Sequence, residues 1–265
     1  MSVLDVIILT NTADDEIYKM TSKAIESLKK SSSKHQFHII LMESNKNSKY
    51  KYDVDVFDIP EQDFNYNIYL NKAISYCIGD YSCVSNNDVY FHPEWYDKLH
   101  DAMVKHNLDT ASPKSKIEQV GIVPRAEIKH RFTPVSKIVE GYQVVYTFCG
   151  WCWVMTKEVR EWLFPLDEQF AFFYQDNDMI CRLEDKGCKH ALIGGALVDH
   201  YGQSSHRILR DNGNWHKYTF GLEKTFLNKW KHKFEKPSLS EGFSFRISLY
   251  QTVRYLLRSI LHLLQ

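Results

Sequence analysis

Three separated segments of the sequence combine carboxylate, amide and imidazole side chains at close spacing. Residues 85–89 read Ser-Asn-Asn-Asp-Val, residues 174–183 read Tyr-Gln-Asp-Asn-Asp-Met-Ile-Cys-Arg-Leu, and residues 198–202 read Val-Asp-His-Tyr-Gly. Groups of these types bind metal ions and transfer protons when a fold brings them together. Because the three segments are far apart in the sequence, the fold must bring them together.

The first and third segments predict a site for a divalent cation. Asp88, with Asn86 or Asn87, offers hard oxygen ligands of the kind that Mg²⁺ and Mn²⁺ bind, and His200 offers an imidazole that Mn²⁺ accepts. A core histidine bonded to a backbone group is the alternative for His200. We predict Asp88, His200 and Asn86 as ligands of a manganese or magnesium ion (Mn²⁺ or Mg²⁺).

The second segment predicts a general base at the start of a helix. Met179, Ile180 and Leu183 fall at helical spacing, so the carboxylates of Asp176 and Asp178 lie in the first turn. Asp is also a favoured capping residue, so a purely structural role is the alternative. Asp176 could take a proton from an attacking hydroxyl group. A cation and a base together indicate a transferase site.

The elements around these segments predict an α/β fold with a parallel sheet. Residues 3–9 form a β-branched apolar run, residues 14–30 have apolar side chains at helical spacing, and residues 37–42 form a second apolar run. A strand, a helix and a strand in this order favour a right-handed crossover between parallel strands.

Ligands of parallel sheets bind beyond the carboxyl ends of the strands. The two predicted strands bring Thr10, Asn11, Glu43 and Ser44 to this edge, and the strand before residues 86–88 delivers its amides and carboxylate there. We therefore expect one polar rim along the edge of the sheet.

The rest of the chain alternates between further strands, helices and loops. The predicted strands are 54–59, 81–84, 144–155 and 191–198, and the predicted helices are 65–78, 93–106 and 157–162. Residues 112–141 contain three prolines and many basic side chains, which indicates a loop-rich excursion over the site.

Composition is that of a soluble globular protein. Of the 265 residues, 44% are hydrophobic and 25% are charged, and the 33 basic residues balance the 33 acidic ones. The N-terminus lacks the basic start and the cleavage site of a signal peptide. We expect a cytoplasmic protein whose six cysteines are reduced.

The order of these motifs resembles that of family 2 nucleotide-sugar-dependent glycosyltransferases, which have the GT-A fold, over about residues 3–205. Residues 6–10 resemble the family's first strand, residues 41–44 its nucleoside-contacting segment, and residues 65–74 its asparagine-bearing helix start. Residues 85–89 resemble its Asp-x-Asp metal motif, in the Asn-Asn-Asp form of rhamnosyltransferase-like members.

The later segments are more specific to the family. Residues 148–155 (Phe-Cys-Gly-Trp-Cys-Trp-Val-Met) resemble its small-residue strand below the acceptor, and residues 170–183 its Glu-Asp-x-Asp-Leu segment. Residues 198–205 resemble its histidine segment. Two departures stand out: Asn86 replaces an Asp of the metal motif, and Gln175 replaces the Glu before the catalytic Asp176.

The resemblance implies a single inverting displacement, in which one sugar moves from a nucleotide-diphosphate sugar to a hydroxyl acceptor on a glycan or lipid-linked glycan. Asp176 would be the catalytic base, and Trp151, Gln175 and Asp178 would support the site or contact the acceptor. The residues that would bind the nucleotide sugar are Thr10, Asn11, Glu43, Asn71, Asn87 and Asp88.

The expected domain organisation has three parts. Residues 1–205 form the GT-A nucleotide-sugar-binding and catalytic domain, residues 206–236 a helical extension packed on it, and residues 237–265 a C-terminal amphipathic helix. Residues 243–264 are apolar with interspersed arginines, which suits an interfacial helix on anionic lipid, a dimer contact or packing on the same domain.

Three alternatives remain open at this point. Basic and aromatic residues in 114–131 and 217–236 would suit a DNA acceptor with a hydroxylated base. Loss of carboxylates at Asn86 and Gln175 would suit a non-catalytic nucleotide-sugar-binding module. A third alternative is a zinc or thiol site at Cys149 and Cys152, completed by Cys181, Cys188 or His190.

Overall fold

The structure is a computed structural model that describes residues 2–116, 125–202 and 222–234. The chain divides into two compact units, Met1–Leu222 and Glu223–Gln265. The predicted helix over 243–264, with its lipid or dimer contact, lies outside the described residues, as does most of the predicted extension over 206–236.

Strands and helices are interspersed along the described part of the chain. The strands are β1 (Val3–Thr10), β2 (Gln36–Glu43), β3 (Val56–Asp58), β4 (Tyr81–Asn86), β5 (Val89–Phe91), β6 (Thr110–Ser115), β7 (Ile138–Glu140), β8 (Cys152–Thr156) and β9 (His190–His200). The helices are α1 (Asp15–Lys29), α2 (Tyr66–Ala73), α3 (Trp95–His106), α4 (Arg125–Phe132), α5 (Lys157–Leu163), α6 (Gln175–Asp185), α7 (Leu222–Lys229) and α8 (Lys231–Phe234).

The first strand, helix and strand form the predicted parallel crossover. β1 pairs with β2 in parallel register, and Thr10 lies opposite Glu43 at the carboxyl end. The Asp14 side chain begins α1 by accepting a hydrogen bond from the Ile17 N–H, at 3.0 Å. This crossover places Thr10 and Glu43 at the expected edge of the sheet.

The described strands form one mixed sheet in the order β3-β2-β1-β4-β8-β6-β9-β5, with β7 also paired to β9. β1 to β4 pair in parallel, and so do β6 and β9. β8 runs antiparallel to both β4 and β6, and therefore joins two sets of strands that point the same way. The predicted α/β fold with a central sheet is confirmed.

Two local predictions are wrong. Residues 112–141 were expected to be a loop-rich excursion, but 112–115 belong to β6, where Pro113 is buried in the sheet, and the range also contains α4 and β7. Residues 144–149 were expected to be strand, but they form a turn in which Val145 adopts a φ of 66°. A turn signal, Pro113, predicted a loop in the first segment, and apolar composition predicted a strand in the second. Strand pairing in the folded protein decides both segments differently.

Alternating side chains of the sheet enter two cores on its two faces. Leu4, Val6 and Ile8 pack with α1 and α3 residues on one face, whereas Ile7 packs with residues of α2, α5 and α6 on the other. The sheet is thus covered by helices on both faces, which explains why β1 has buried apolar side chains on both of its faces.

A buried ion pair joins α5 to the amino end of the sheet. Asp5, which is fully buried, accepts hydrogen bonds from Arg160 at 3.0 Å and from the backbone N–H groups of Ile78 and Gly79 at 3.0 and 2.9 Å. Arg160 also donates to Ser82 at 2.6 Å. This network lies at the opposite end of the strands from the polar rim, and its groups are paired as buried charges must be.

Candidate active site

Asp88 and His200 meet where β4 and β9 end. Val89 pairs with His200 across the antiparallel β5–β9 ladder, and the Tyr201 N–H donates to the Asp88 carbonyl at 3.0 Å. These backbone contacts bring Asp88 Oδ1 to 3.6 Å from His200 Nε2. Both residues are buried, and Asp88 Oδ1 has no hydrogen-bond partner among the described residues.

Trp151 joins this pair to the adjacent strand. Its indole ring stacks on the His200 imidazole, with ring centroids 4.7 Å apart and planes at 11°. Its backbone carbonyl accepts a hydrogen bond from the Asn86 N–H at 2.8 Å. The metal-motif segment, the histidine segment and the segment before β8 therefore form one connected structure.

Asp176 lies in the first turn of α6, as the sequence predicts. Tyr174, in the left-handed conformation with φ of 65°, turns the chain into the helix. Asp176 Oδ1 is buried and has no hydrogen-bond partner among the described residues. Burial raises the pKa of this carboxyl group from its ordinary value to about 6.

The Asp176 carboxylate contacts the backbone beside Trp151. A Cβ atom added to Gly150 would lie 2.1 Å from Asp176 Oδ2, so only glycine leaves room for the carboxylate here. Tyr66, at the start of α2, has its pKa raised by burial and by the Asp176 charge. Asp176, Gly150, Trp151, His200 and Asp88 thus follow one another through direct contacts or chain neighbours.

Asp178 and Gln175 flank the predicted base. Asp178 is 1% exposed and its backbone N–H donates to the Tyr174 carbonyl at 2.9 Å, which places it inside the helix start. Gln175 Oε1 is buried with no hydrogen-bond partner among the described residues. Their predicted acceptor or supporting role stays a prediction.

Several side chains predicted to bind the nucleotide sugar also hold neighbouring segments in place. Glu43 is fully buried and accepts hydrogen bonds from the backbone of Thr12 at 3.1 Å and of Asn45 at 2.7 Å. Asn87 donates to Thr10 Oγ1 at 3.1 Å and to Thr21 Oγ1 at 2.9 Å. These contacts organise the rim at the carboxyl ends of β1, β2 and β4, whereas Asn11 beside it is exposed.

Asn71 contacts a different part of the chain. It accepts from the Leu166 N–H at 2.6 Å and donates to the Leu166 carbonyl at 3.0 Å and to Glu168 at 3.2 Å. These bonds tie α2 to the loop that precedes α6. The structure shows this side chain bonded to that loop. Its contact with the nucleotide sugar stays a prediction.

Asp88 and His200 suit a cation whose remaining ligands would come from the substrate. No group of three or more His, Cys, Asp or Glu side chains in residues 2–116, 125–202 and 222–234 is arranged to hold a metal ion. The orphaned carboxylate oxygen of Asp88 beside an imidazole nitrogen is nevertheless a fitting pair for Mn²⁺ or Mg²⁺. Asn86, the third predicted ligand, is partly exposed at the end of β4.

The cysteines that could form a zinc site face different partners. Cys152 Sγ lies 3.8 Å from Cys83 Sγ, whereas Cys149 Sγ contacts the carbonyl groups of Tyr146 at 3.5 Å and Pro113 at 3.9 Å. Both thiols belong to the hydrophobic core. Their Cys-x-x-Cys spacing therefore reflects burial on one face of the sheet.

The family model described as Glycosyl transferase family 2 matches residues 5–164, more than half of the chain. The chain belongs to glycosyl transferase family 2. No curated protein matches this family 2 chain at a significant level.

Solved structures of TarS from S. aureus share the fold of this family 2 chain. TarS residues 1–349 superpose with a TM-score of 0.54 at 12% identity, over 73% of this chain and 58% of that one. The same fragment in complex with UDP gives 0.53 at 15% identity, over 73% and 61%. A further TarS structure gives 0.53 at 14% identity, over 72% and 35%. The chain thus spans between 35% and 61% of the length of these structures.

No described helix of this family 2 chain is long and apolar enough to cross a membrane.

Sequence reasoning missed two residues that shape the site. Gly150 leaves room for the Asp176 carboxylate, and Tyr66 lies near enough to this charge for its pKa to respond. A glycine between Cys149 and Trp151, inside an apolar aromatic run, was the available signal for a close approach. Nothing in the sequence indicates which side chain approaches.

Proposed function

We propose that the chain transfers one sugar from a nucleotide-diphosphate sugar to a hydroxyl acceptor by a single inverting displacement. Asp176 is the general base of this reaction, and Asp88 and His200 hold the divalent cation. The supporting observation is the connected contact path from the Asp176 carboxylate through Gly150 and Trp151 to His200 and Asp88. Such a displacement requires a general base for the acceptor and a cation at the leaving diphosphate.

The surroundings of Asp176 suit a base that works near neutral pH. With a pKa of about 6 the carboxylate is mostly ionised at neutral pH, yet it is more basic than an ordinary Asp. Its Oδ1 atom has no hydrogen-bond partner in the described residues, so it can accept the proton of an acceptor hydroxyl group. Deprotonation of that hydroxyl accompanies its attack on the anomeric carbon.

Asp88 and His200 would hold the cation through Oδ1 and Nε2, with the diphosphate of the donor supplying further ligands. When bound, the cation neutralises the charge that grows on the leaving diphosphate. Asn86 replaces a charged ligand by an amide, which predicts weaker metal affinity than an Asp would give. The main chain at Asn86 and Trp151 keeps the two ligand segments together.

We propose a UDP-sugar as the donor. The solved structure of TarS in complex with UDP has the same fold over 73% of this chain. The rim formed by Thr10, Glu43 and Asn87 lies at the carboxyl ends of the strands, where nucleotides bind in open α/β sheets.

Hydrolysis and transfer assays with UDP-sugars test the proposal. We expect Mn²⁺-dependent release of UDP by the wild type, and a fall of about 100-fold or more in Asp176→Asn, because the general base is lost. Asp185→Asn, an exposed carboxylate at the end of the same helix, is the matched control and should keep activity. Equal activity of Asp176→Asn and the wild type would disprove the assignment of the base.

The same assays address the other functions considered for this chain. A non-catalytic module would bind UDP without turnover on any acceptor. A DNA acceptor stays a prediction. Of the basic residues in 114–131, Lys114 is partly buried and donates its Nζ to the Thr133 carbonyl at 2.6 Å, whereas Lys129 and Arg131 are exposed. The region over 217–221 and 235–236 lies outside the described residues.

A further inference from the structure

Trp151 lies between the predicted base, Asp176, and the predicted cation ligands, Asp88 and His200. Its side chain is 7% exposed. One neighbour along the chain, Gly150, contacts the Asp176 carboxylate, and the indole ring itself covers His200. The stacking is close to parallel, at 11° and 4.7 Å between centroids, so a rotation of the imidazole about its bond to Cβ would collide with the indole.

The position of Trp151 is itself fixed by the main chain. Its carbonyl accepts the Asn86 N–H at 2.8 Å, and the next residue, Cys152, begins β8. This backbone hydrogen bond therefore ties the metal-motif segment to the residue whose indole covers His200. A side chain anchored in this way can define the plane of a neighbouring ring.

The indole N–H does not explain why a tryptophan stands here. Nε1 of Trp151 is buried and has no hydrogen-bond partner among the described residues, and the same is true of Nε1 of Trp153 in the opposite core. Trp153 packs against Phe148 at 5.2 Å and contacts none of the predicted ligands in the structure described. The feature that distinguishes Trp151 is its flat face against His200.

We propose that Trp151 is a positioning residue of the cation site, whose aromatic face holds the His200 imidazole so that Nε2 stays directed at Asp88 Oδ1. This inference rests on the proposed function, in which that pair binds a divalent cation with the nucleotide diphosphate. Residues that orient a metal ligand typically change metal affinity 10-fold to 100-fold when they are replaced. The aromatic face, rather than the N–H group, is the part that matters.

Two substitutions separate the face from the N–H group. Trp151→Phe keeps an aromatic face over His200 and removes the unpaired N–H, whereas Trp151→Leu removes both. Binding of Mn²⁺ in the presence of UDP, measured by electron paramagnetic resonance of free Mn²⁺, reads the site directly and needs no turnover. We expect affinity within about threefold of the wild type for Trp151→Phe, and a fall of about 10-fold or more for Trp151→Leu.

Trp153→Leu is the matched control. It removes a buried indole of equal size from the other core, 0% exposed against 7% for Trp151, so it should lower thermal stability at least as much as Trp151→Leu does. The Mn²⁺ affinity of the folded protein should be unchanged. Circular dichroism confirms that each variant is folded at the temperature of the binding measurement. Affinity of UDP without Mn²⁺ should be the same in all four proteins.

The outcomes distinguish this inference from the proposed function. A wild type that binds no Mn²⁺ with UDP would overturn the proposed cation site itself. If the wild type binds Mn²⁺ and Trp151→Leu binds it equally well, the positioning role alone is wrong. Equal losses in Trp151→Phe and Trp151→Leu, or a similar loss in Trp153→Leu, would also contradict it, because the aromatic face over His200 would not be the cause.

Discussion

The Asp176 carboxylate is held in surroundings that disfavour its charge. Burial raises its pKa to about 6, and its Oδ1 atom has no hydrogen-bond partner among the described residues to compensate. A buried charge without a partner lowers the stability of a protein. In the proposed function this carboxylate accepts the proton of a substrate hydroxyl group, and its burial would then exchange stability for reactivity.

Asp176→Asn should therefore stabilise the folded protein at about pH 8. Because the folded pKa lies above the unfolded one, the wild type loses stability as pH rises from the ordinary Asp value to about 6, and the loss is complete above that pH. We expect a gain of about 1 to 3 kcal/mol in the variant at about pH 8. Urea unfolding at several pH values measures it, and the gain should shrink below about pH 6. An unfolding free energy equal to that of the wild type at about pH 8 would contradict the raised pKa.

The same pKa predicts the pH dependence of transfer. If Asp176 is the proposed base, the rate should rise with pH through about 6 and then level off, because only the ionised carboxylate can accept a proton. Initial rates between about pH 5 and pH 8 at saturating donor test this. UDP affinity over the same range serves as the control, since a parallel change in affinity would assign the titration to binding instead. Tyr66, whose pKa is raised, stays neutral throughout.

Gly150→Ala should abolish most transfer while the protein still folds. The added Cβ would lie 2.1 Å from Asp176 Oδ2 and must displace the carboxylate. We expect kcat to fall about 100-fold, as for the loss of the base, with UDP affinity nearly unchanged. Gly187→Ala is the control: its φ of +69° makes alanine strained, but no atom lies within 4 Å of the added Cβ. It should cost stability without a loss of kcat, and an active Gly150→Ala would refute the contact.

At the scale of elements, α5 is fixed to the sheet by the Asp5–Arg160 pair. Arg160→Met leaves the fully buried Asp5 carboxylate without its charged partner, so we expect a loss of about 2 to 4 kcal/mol in unfolding free energy. Lys157→Met, on the same helix, breaks only an exposed contact with Glu161 at 4.0 Å and should cost about 0.5 kcal/mol or less. Urea unfolding compares the two, and similar losses would show that burial of the pair is unimportant.

The elements that the sequence predicted are those with local signals. The β1–α1–β2 crossover has two apolar runs and helical spacing within 43 residues, and the structure has β1 and β2 paired in parallel with α1 between them. Thr110–Ser115 was missed because Pro113 is a turn signal, although neighbouring strands pair with this segment on both sides. Long-range pairing decides such segments, and a single sequence does not display it.

The candidate site was predictable in position but not in its hydrogen bonds. Asp88 and His200 were predicted because each follows a strand at the expected edge of the sheet, and Asp176 because it begins a helix. Glu43 lies at the same edge, and Asn71 was predicted from the family resemblance, yet the structure shows them bonded to the backbone of Asn45 and Leu166. Residue type and position along a strand do not reveal which polar groups are already satisfied.

At the scale of the whole molecule, the described site lies within one compact unit. β1, β2, β4 and β9 point the same way, so Thr10, Glu43, Asn86 and His200 end at one edge of a single sheet. β8 runs against them, and the segment that precedes it therefore starts from that edge, which is how Gly150 and Trp151 reach the same place. The antiparallel strand β8 thus brings Gly150 and Trp151 between the carboxyl ends of β4 and β9.

This arrangement predicts that residues 1–222 fold and bind the nucleotide without the rest of the chain. The unit Met1–Leu222 contains the whole described sheet, both cores of its faces and every predicted site residue from Thr10 to His200. We expect a cooperative thermal transition and, with UDP and Mn²⁺ at about 100 times the dissociation constant, a stabilisation of about 2.7 kcal/mol, as in the full chain.

Thermal scans of both proteins at equal ligand saturation compare them, and Asp88→Asn within 1–222 is the control that should weaken the Mn²⁺-dependent part. An insoluble fragment, or one that gains no stability while the full chain does, would show that residues after Leu222 complete the nucleotide site. The sheet and the contacts that link Asp176 to Asp88 lie within the unit Met1–Leu222, so the fragment should behave as the full chain does.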